Sequence, residues 1–150
     1  MKFILAALLC VLAVVSAVAQ TEKTGFSKSA EKNGVKKLTL ARQDSEGNIE
    51  ENIEIFSTND VPIFCYVDLI STVPTSVQLN LIAVKVKGLR PNTKIISISY
   101  KTKKGEDAVT FTGKPENDWI VGSYRVDILL NGKLAKSREF SVEMLHRSAK

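Results

Sequence analysis

Apolar residues in this chain recur in short alternating runs broken by turn-forming residues, a pattern that predicts β-strands from end to end. Val35 to Ala41 forms the first run, and Asp44-Ser45-Glu46-Gly47-Asn48 turns the chain. Ile49, Ile53, Ile55 and Phe56 mark a second, irregular run, closed by Asn59-Asp60-Val61-Pro62. Ile63 to Leu69 is almost all β-formers. In Val77 to Val86, Val77, Leu79 and Leu81 share one face, then Val84 and Val86 share one after a parity switch at Ile82-Ala83, which predicts a bulge. After the Leu89-Arg90-Pro91-Asn92 turn, Ile96, Ile98 and Tyr100 point one way and Ser97, Ser99 and Lys101 the other. Lys104-Gly105-Glu106-Asp107 leads into Ala108 to Thr112, and Gly113 to Asp118 is a polar loop.

The last pair of runs carries the clearest pattern. Tyr124, Val126, Ile128 and Leu130 form an inward set, and Asn131-Gly132 tolerates the positive φ of a two-residue hairpin turn. A strict two-residue loop would put Phe140 and Val142 on the face opposite Val126. An irregularity near Lys133 to Ser137 must correct that register. The expected architecture is a single antiparallel β-sandwich of seven or eight strands over residues 35–143. No stretch after the N-terminus shows a sustained helical period, and no repeat or linker divides the chain.

The N-terminus reads differently. Lys2, an unbroken apolar or small run from Phe3 to Val15, and Ala17-Val18-Ala19 predict a signal peptide over 1–19, cut before Gln20. The expected destination is outside the cytoplasm, secreted or periplasmic, with no membrane-spanning segment left after cleavage. Residues 20–34 are expected to be a flexible polar leader and 144–150 a basic tail. Cleavage takes one Lys from a chain of net charge +5, which is too mild a surplus for a nucleic-acid binder. It also leaves Cys65 as the lone cysteine, so no internal disulfide is available. Its setting, Ile63-Phe64-Cys65-Tyr66-Val67, suits a buried inert thiol, with a bond between chains or a reactive thiol as the alternatives.

Trp119-x-x-Gly122-x-Tyr124-x-Val126-x(5)-Gly132, closing with Phe140-Ser141-Val142, resembles the end of many small bacterial envelope domains with an immunoglobulin-like fold. In such sandwiches a Tyr opens a late strand and its hydroxyl ties back to the backbone just upstream. Phe56-Ser57-x-x-Asp60 before the Ile63 strand is similar to the matching early motif, so the resemblance spans most of 38–142. It implies a sandwich that serves in adhesion, carbohydrate binding, assembly or spacing. The paired core cysteines of antibody-type domains are absent, and Val126 stands where the second would fall.

Candidates for chemistry are few. His146, the sole histidine, lies in the tail and cannot orient a nucleophile such as Cys65. No Gly-x-Ser-x-Gly elbow or Gly-rich phosphate loop occurs, and a zinc site would need more His and Cys than the chain holds. Two of Asp60, Asp118 and Asp127 could converge as a carboxylate pair, but Asp60 and Asp118 read better as turn-forming residues that bond nearby backbone N–H groups. Asp44 to Glu50 is dense in oxygen ligands yet lacks the calcium-loop spacing and reads as a hairpin turn. Trp119 is either an exposed binding aromatic or a lid over the core beside Tyr124.

Lys85, Lys87, Arg90, Lys94, Lys101 and Lys103 would form one cationic patch if their strands are neighbours, either a binding surface or a solvated sheet face kept charged for solubility and against edge pairing. The expectation is therefore a non-enzymatic module, without cofactor or metal, that recognises an envelope or extracellular protein by a sheet face or an open edge. The alternative is binding of an anionic glycan or lipid through the lysines, and a carboxylate hydrolase stands third.

Overall fold

The computed structural model describes residues 34–144, so the expected signal peptide, the leader before Gly34 and the tail beyond Met144 lie outside the described residues. Nine strands follow in order: β1 Val35–Gln43, β2 Ile49–Glu51, β3 Ile55–Ser57, β4 Ile63–Leu69, β5 Ser76–Val86, β6 Thr93–Lys101, β7 Ala108–Gly113, β8 Gly122–Leu130 and β9 Lys133–Glu143. They form two sheets, β2-β1-β4-β7 and β3-β9-β8-β5-β6, and no helix occurs among the described residues. The count exceeds the expected seven or eight because the irregular run over residues 49–56 splits in two. Its first part pairs with β1, and its second crosses to the other sheet.

That crossing also corrects the expectation of a purely antiparallel sandwich, since β3 lies parallel to β9. The remaining pairs are antiparallel. The core takes alternate residues from both layers: Leu38, Leu40, Cys65, Val67 and Phe111 from one, and Val77, Leu79, Val126, Ile128 and Phe140 from the other.

Both expected irregularities are present. In the β8–β9 hairpin the register slips between Ile128 and Leu129, with Ala135 as the extra residue, and this turns Phe140 inward opposite Tyr124. Asn131 and Gly132 both have positive φ, as the tight turn requires. The β5 switch falls one residue later than expected. Ala83 stays in the core, Val84 is the extra residue opposite β8, and Val86 resumes the inward face. Val84 and Val86 therefore do not share a face.

Candidate binding site at the open side of the sandwich

The two sides of the sandwich end differently. On one side the outermost strands, β2 and β3, are three residues each. Short edges with charges are how sheets avoid pairing with other chains. Here Glu50 and Glu51 sit on β2 in ion pairs with Arg42 and Lys37. Ile53 N donates to Leu40 O across that side.

On the other side β6 and β7 each have a single hydrogen-bonded neighbour among the described residues. Neither residues 95–100 of β6 nor Ala108–Gly113 of β7 include a charged side chain. β6 carries Lys94 and Lys101 near its ends, whereas β7 is an unguarded edge over its whole length. Ile98 and Tyr100 pair with Leu79 and Val77 of β5 and so face the inner side of their sheet. Yet both are 41% exposed, whereas Leu79 is 6% and Val77 0% exposed. The difference follows from strand number: a five-stranded sheet packs on a four-stranded one, so β6 projects past β7, and no described strand lies opposite its inner face at Ile98 and Tyr100.

A groove of about 530 Å³ fills that vacant position, lined by Ile98, Ser99, Tyr100, Glu106 and residues 108–112 of β7. At its Glu106 end the carboxylate accepts hydrogen bonds from Lys103 N at 2.8 Å and Tyr100 Oη at 3.1 Å. The Lys103 N–H, with help from Tyr100, holds Glu106 below the ordinary carboxyl range. The same hydrogen bond to Glu106 raises the Tyr100 phenol. Beyond the other end of the groove lies a hollow of about 570 Å³ between Leu89, Ile95 and Ile96 and the loop over 114–120.

Trp119 stands at the back of that hollow and belongs to the core. It is 8% exposed, its Nε1 donates to Asp60 O at 3.1 Å, and its ring meets Tyr124 edge-on at 5.7 Å and Phe140 at 6.4 Å. An exposed binding aromatic is thereby corrected to a lid, because the indole is consumed by packing and by its one donor. Tyr124 closes the same corner, with Oη donating to Ile120 O at 2.7 Å, four residues upstream. Burial raises its phenol. Gly122 is needed beside it, since a Cβ there would lie 2.5 Å from Lys85 O.

The six predicted cations do not form one patch. β5 and β6 are neighbours, as the patch required, but they run antiparallel with Ile82 opposite Lys94 and Ser76 opposite Lys101. Lys94 and Lys101 are seven residues apart on β6, about 23 Å at 3.3 Å per residue. Lys85, Lys87, Arg90 and Lys94 gather at the β5–β6 turn, while Lys101 and Lys103 lie at the opposite end.

The carboxylates are likewise dispersed. Asp60 is buried, accepting from Ser57 N at 2.7 Å and Arg42 Nη1 at 3.2 Å, as a turn-forming residue should. Asp127 lies opposite Asn80 and Ser137, bonded to Arg125 and Ser137, and Asp118 is exposed in the late loop. Asp44 closes its hairpin turn through Glu46 N and Asn48 N. Cys65 is buried, which pushes its thiol up to about 12 and keeps it protonated.

No family model matches the chain, and no curated protein matches it either. Among solved structures it is similar to an immunoglobulin-like protein from Pseudomonas aeruginosa, at 15% identity and a TM-score of 0.53. That likeness covers 74% of this chain and 96% of the other. The fold is therefore an immunoglobulin-like β-sandwich. A looser likeness, to an alkylpurine DNA glycosylase from Pseudomonas fluorescens, has 16% identity and a TM-score of 0.47. It covers 74% of this chain but 30% of that enzyme.

The sequence pattern does not single out the residues that line the open side, Ile98, Tyr100 and Val109 to Thr112, as binding residues. Their one signal is an uncharged six-residue strand beside an uncharged stretch of the preceding one.

Proposed function

We propose that this protein is an exported, non-enzymatic binding module that recognises another protein of the cell envelope or exterior through the β6–β7 side. One observation carries the reading: among the described residues β7 is an uncharged edge with one side unpaired, lying beside Ile98 and Tyr100 of β6, which no described strand covers. An exposed, flat, uncharged edge is an aggregation hazard that natural sheets blunt, as this one does at β2 and β3. Leaving it open on one side only is intelligible if that side has a partner. The alternative, an anionic glycan or lipid on a lysine face, is weakened by the separation of Lys101 and Lys103 from the other four cations.

Export is part of the proposal and rests on the N-terminal pattern. Sequencing the N-terminus of protein recovered outside the cytoplasm should begin at Gln20. Recognition is tested by placing a photo-crosslinking residue at Thr110, on the open edge, or at Glu46, in the β1–β2 turn, in the producing cell. A discrete protein adduct from position 110 and none from 46 is expected. Equal yields from both positions, or adducts from neither, would remove the reading.

A further inference from the structure

We propose that the open side receives a single extended segment of a partner protein, which adds antiparallel to β7 as a fifth strand of the four-stranded sheet. This rests on the recognition reading above and specifies its chemistry. The free rim of β7 is a row of backbone donors and acceptors, and only another backbone matches their alternation. Leu69 N donates to Asp107 O at 2.7 Å where β4 and β7 begin to pair. Carried along the ladder, that alternation turns Asp107, Val109, Phe111 and Gly113 toward β4. Ala108, Thr110 and Thr112 then present their N–H and C=O groups to the open side. An added strand would lie opposite the inner face of β6, with every second side chain covering Ile98 and Tyr100 in the groove.

The same geometry excludes a second copy of the folded chain. Pairing β7 with itself about Thr110, with both cores on one side, would set the projecting β6 of each copy where the other copy's β5 must pass. Turning the second copy over would avoid that collision but lay its Ala108, Thr110 and Thr112 on Ile98 and Tyr100, leaving the apolar pair uncovered. An isolated strand meets neither obstacle.

Charge narrows the occupant further. The groove walls are uncharged apart from Glu106, so inward-facing residues of the segment are apolar and uncharged. An antiparallel segment begins beside Gly113 and Lys114, and Lys114 makes no ion pair with a described residue. The segment therefore opens with an acidic residue. Its far end meets Glu106 and Asp107 together with Lys103 and Lys104, which select nothing by sign.

β7 itself has this composition: residues 106–115, freed from the sandwich, would set Glu106 of the peptide opposite Lys114 and Val109 opposite Phe111. The test is an NMR titration of the purified protein with that ten-residue peptide and with two versions N-methylated at Thr110 or at Phe111. Shifts should cluster at Ala108–Gly113 and at residues 95–100. The Phe111 N-methyl peptide should bind as the parent does. The Thr110 version, which loses a shared hydrogen bond and clashes with the rim, should bind more weakly by about tenfold or more. Glu106→Lys in the peptide should weaken binding and remove its salt dependence.

Equal binding of both methylated peptides would mean side-chain docking and overturn strand addition. So would absence of binding by any peptide at millimolar concentration, or a dimer of the intact protein whose contact maps to β7. Binding that appears only after the residues before Gly34 are clipped would put that segment in the groove and overturn assignment to a partner. These outcomes are separable from the parent reading. Adducts at Thr110 without peptide binding would leave recognition standing and sink strand addition, while peptide binding without any adduct in the cell would show an edge that can take a strand but remove the partner, and with it both readings.

Discussion

Replacing Asp60 tests whether the corner behind the groove is held as the geometry indicates. Its carboxylate accepts from the buried Ser57 N–H at 2.7 Å and from Arg42 at 3.2 Å, and its carbonyl takes the Trp119 indole at 3.1 Å. Asp60→Ala strips the acceptor from a buried amide, which costs about 1–3 kcal/mol. It also removes one ion-pair partner of Arg42, although Glu50 remains at 2.7 Å, so this part adds about 1 kcal/mol or less. The sum, about 1–4 kcal/mol, is a large fraction of the roughly 5–15 kcal/mol by which domains are stable. Asp60→Asn keeps an acceptor for Ser57 N and loses the charge, so its cost should be nearer to about 1 kcal/mol. Urea unfolding followed by the fluorescence of Trp119, the sole tryptophan, measures both. Equal costs for the two variants, or less than about 1 kcal/mol for Asp60→Ala, would refute the capping argument.

Other outcomes follow from single features. Cys65 should resist alkylation in the native protein at pH 8 and react on unfolding, because its thiol is pushed up to about 12. Since that group ionises more readily when unfolded, stability is unaffected below about pH 9 and falls by up to about 1.4 kcal/mol per unit as pH rises toward 12. Comparing urea midpoints with Cys65→Ala, which lacks this slope, isolates the effect. Gly122→Ala forces a Cβ against the Lys85 carbonyl and should cost about 1–3 kcal/mol by thermal or urea unfolding; an unchanged midpoint would show that the β5–β8 contact gives way freely. Lys85→Glu and Lys101→Glu should lower retention on an anionic resin additively, because the two sites are about 30 Å apart along β5 at 3.3 Å per residue. A cooperative loss would revive the single-patch reading.

What could be read from the sequence was whatever depends on neighbours along the chain. The alternation from Tyr124 to Leu130 and the Asn131-Gly132 turn specify a hairpin locally, and the parity of Phe140 then demands the bulge found at Ala135. The tyrosine corner was implied by the family resemblance carried on Trp119 to Val126, and its bond spans four residues. The β5 switch was misplaced by one residue because Ala83 is small enough to suit either face, so its parity is silent. Pairing over long distances was not legible. Lys85 and Lys101 look adjacent when β5 and β6 are simply set side by side, yet antiparallel register sends them to opposite ends. Whether Ile98 and Tyr100 are covered depends on how many strands the other sheet contributes, and no local pattern encodes that number. The open side was thus invisible until both sheets were assembled.

The most direct test of the open edge is amide hydrogen exchange along β7, residue by residue, before and after adding the 106–115 peptide. Slow exchange is expected at Val109, Phe111 and Gly113, which bond to β4. Fast exchange is expected at Ala108, Thr110 and Thr112, slowed when the peptide is added. Uniform protection of all six amides in the free protein, or fast amides that the peptide leaves unchanged, would contradict an open edge that takes a strand.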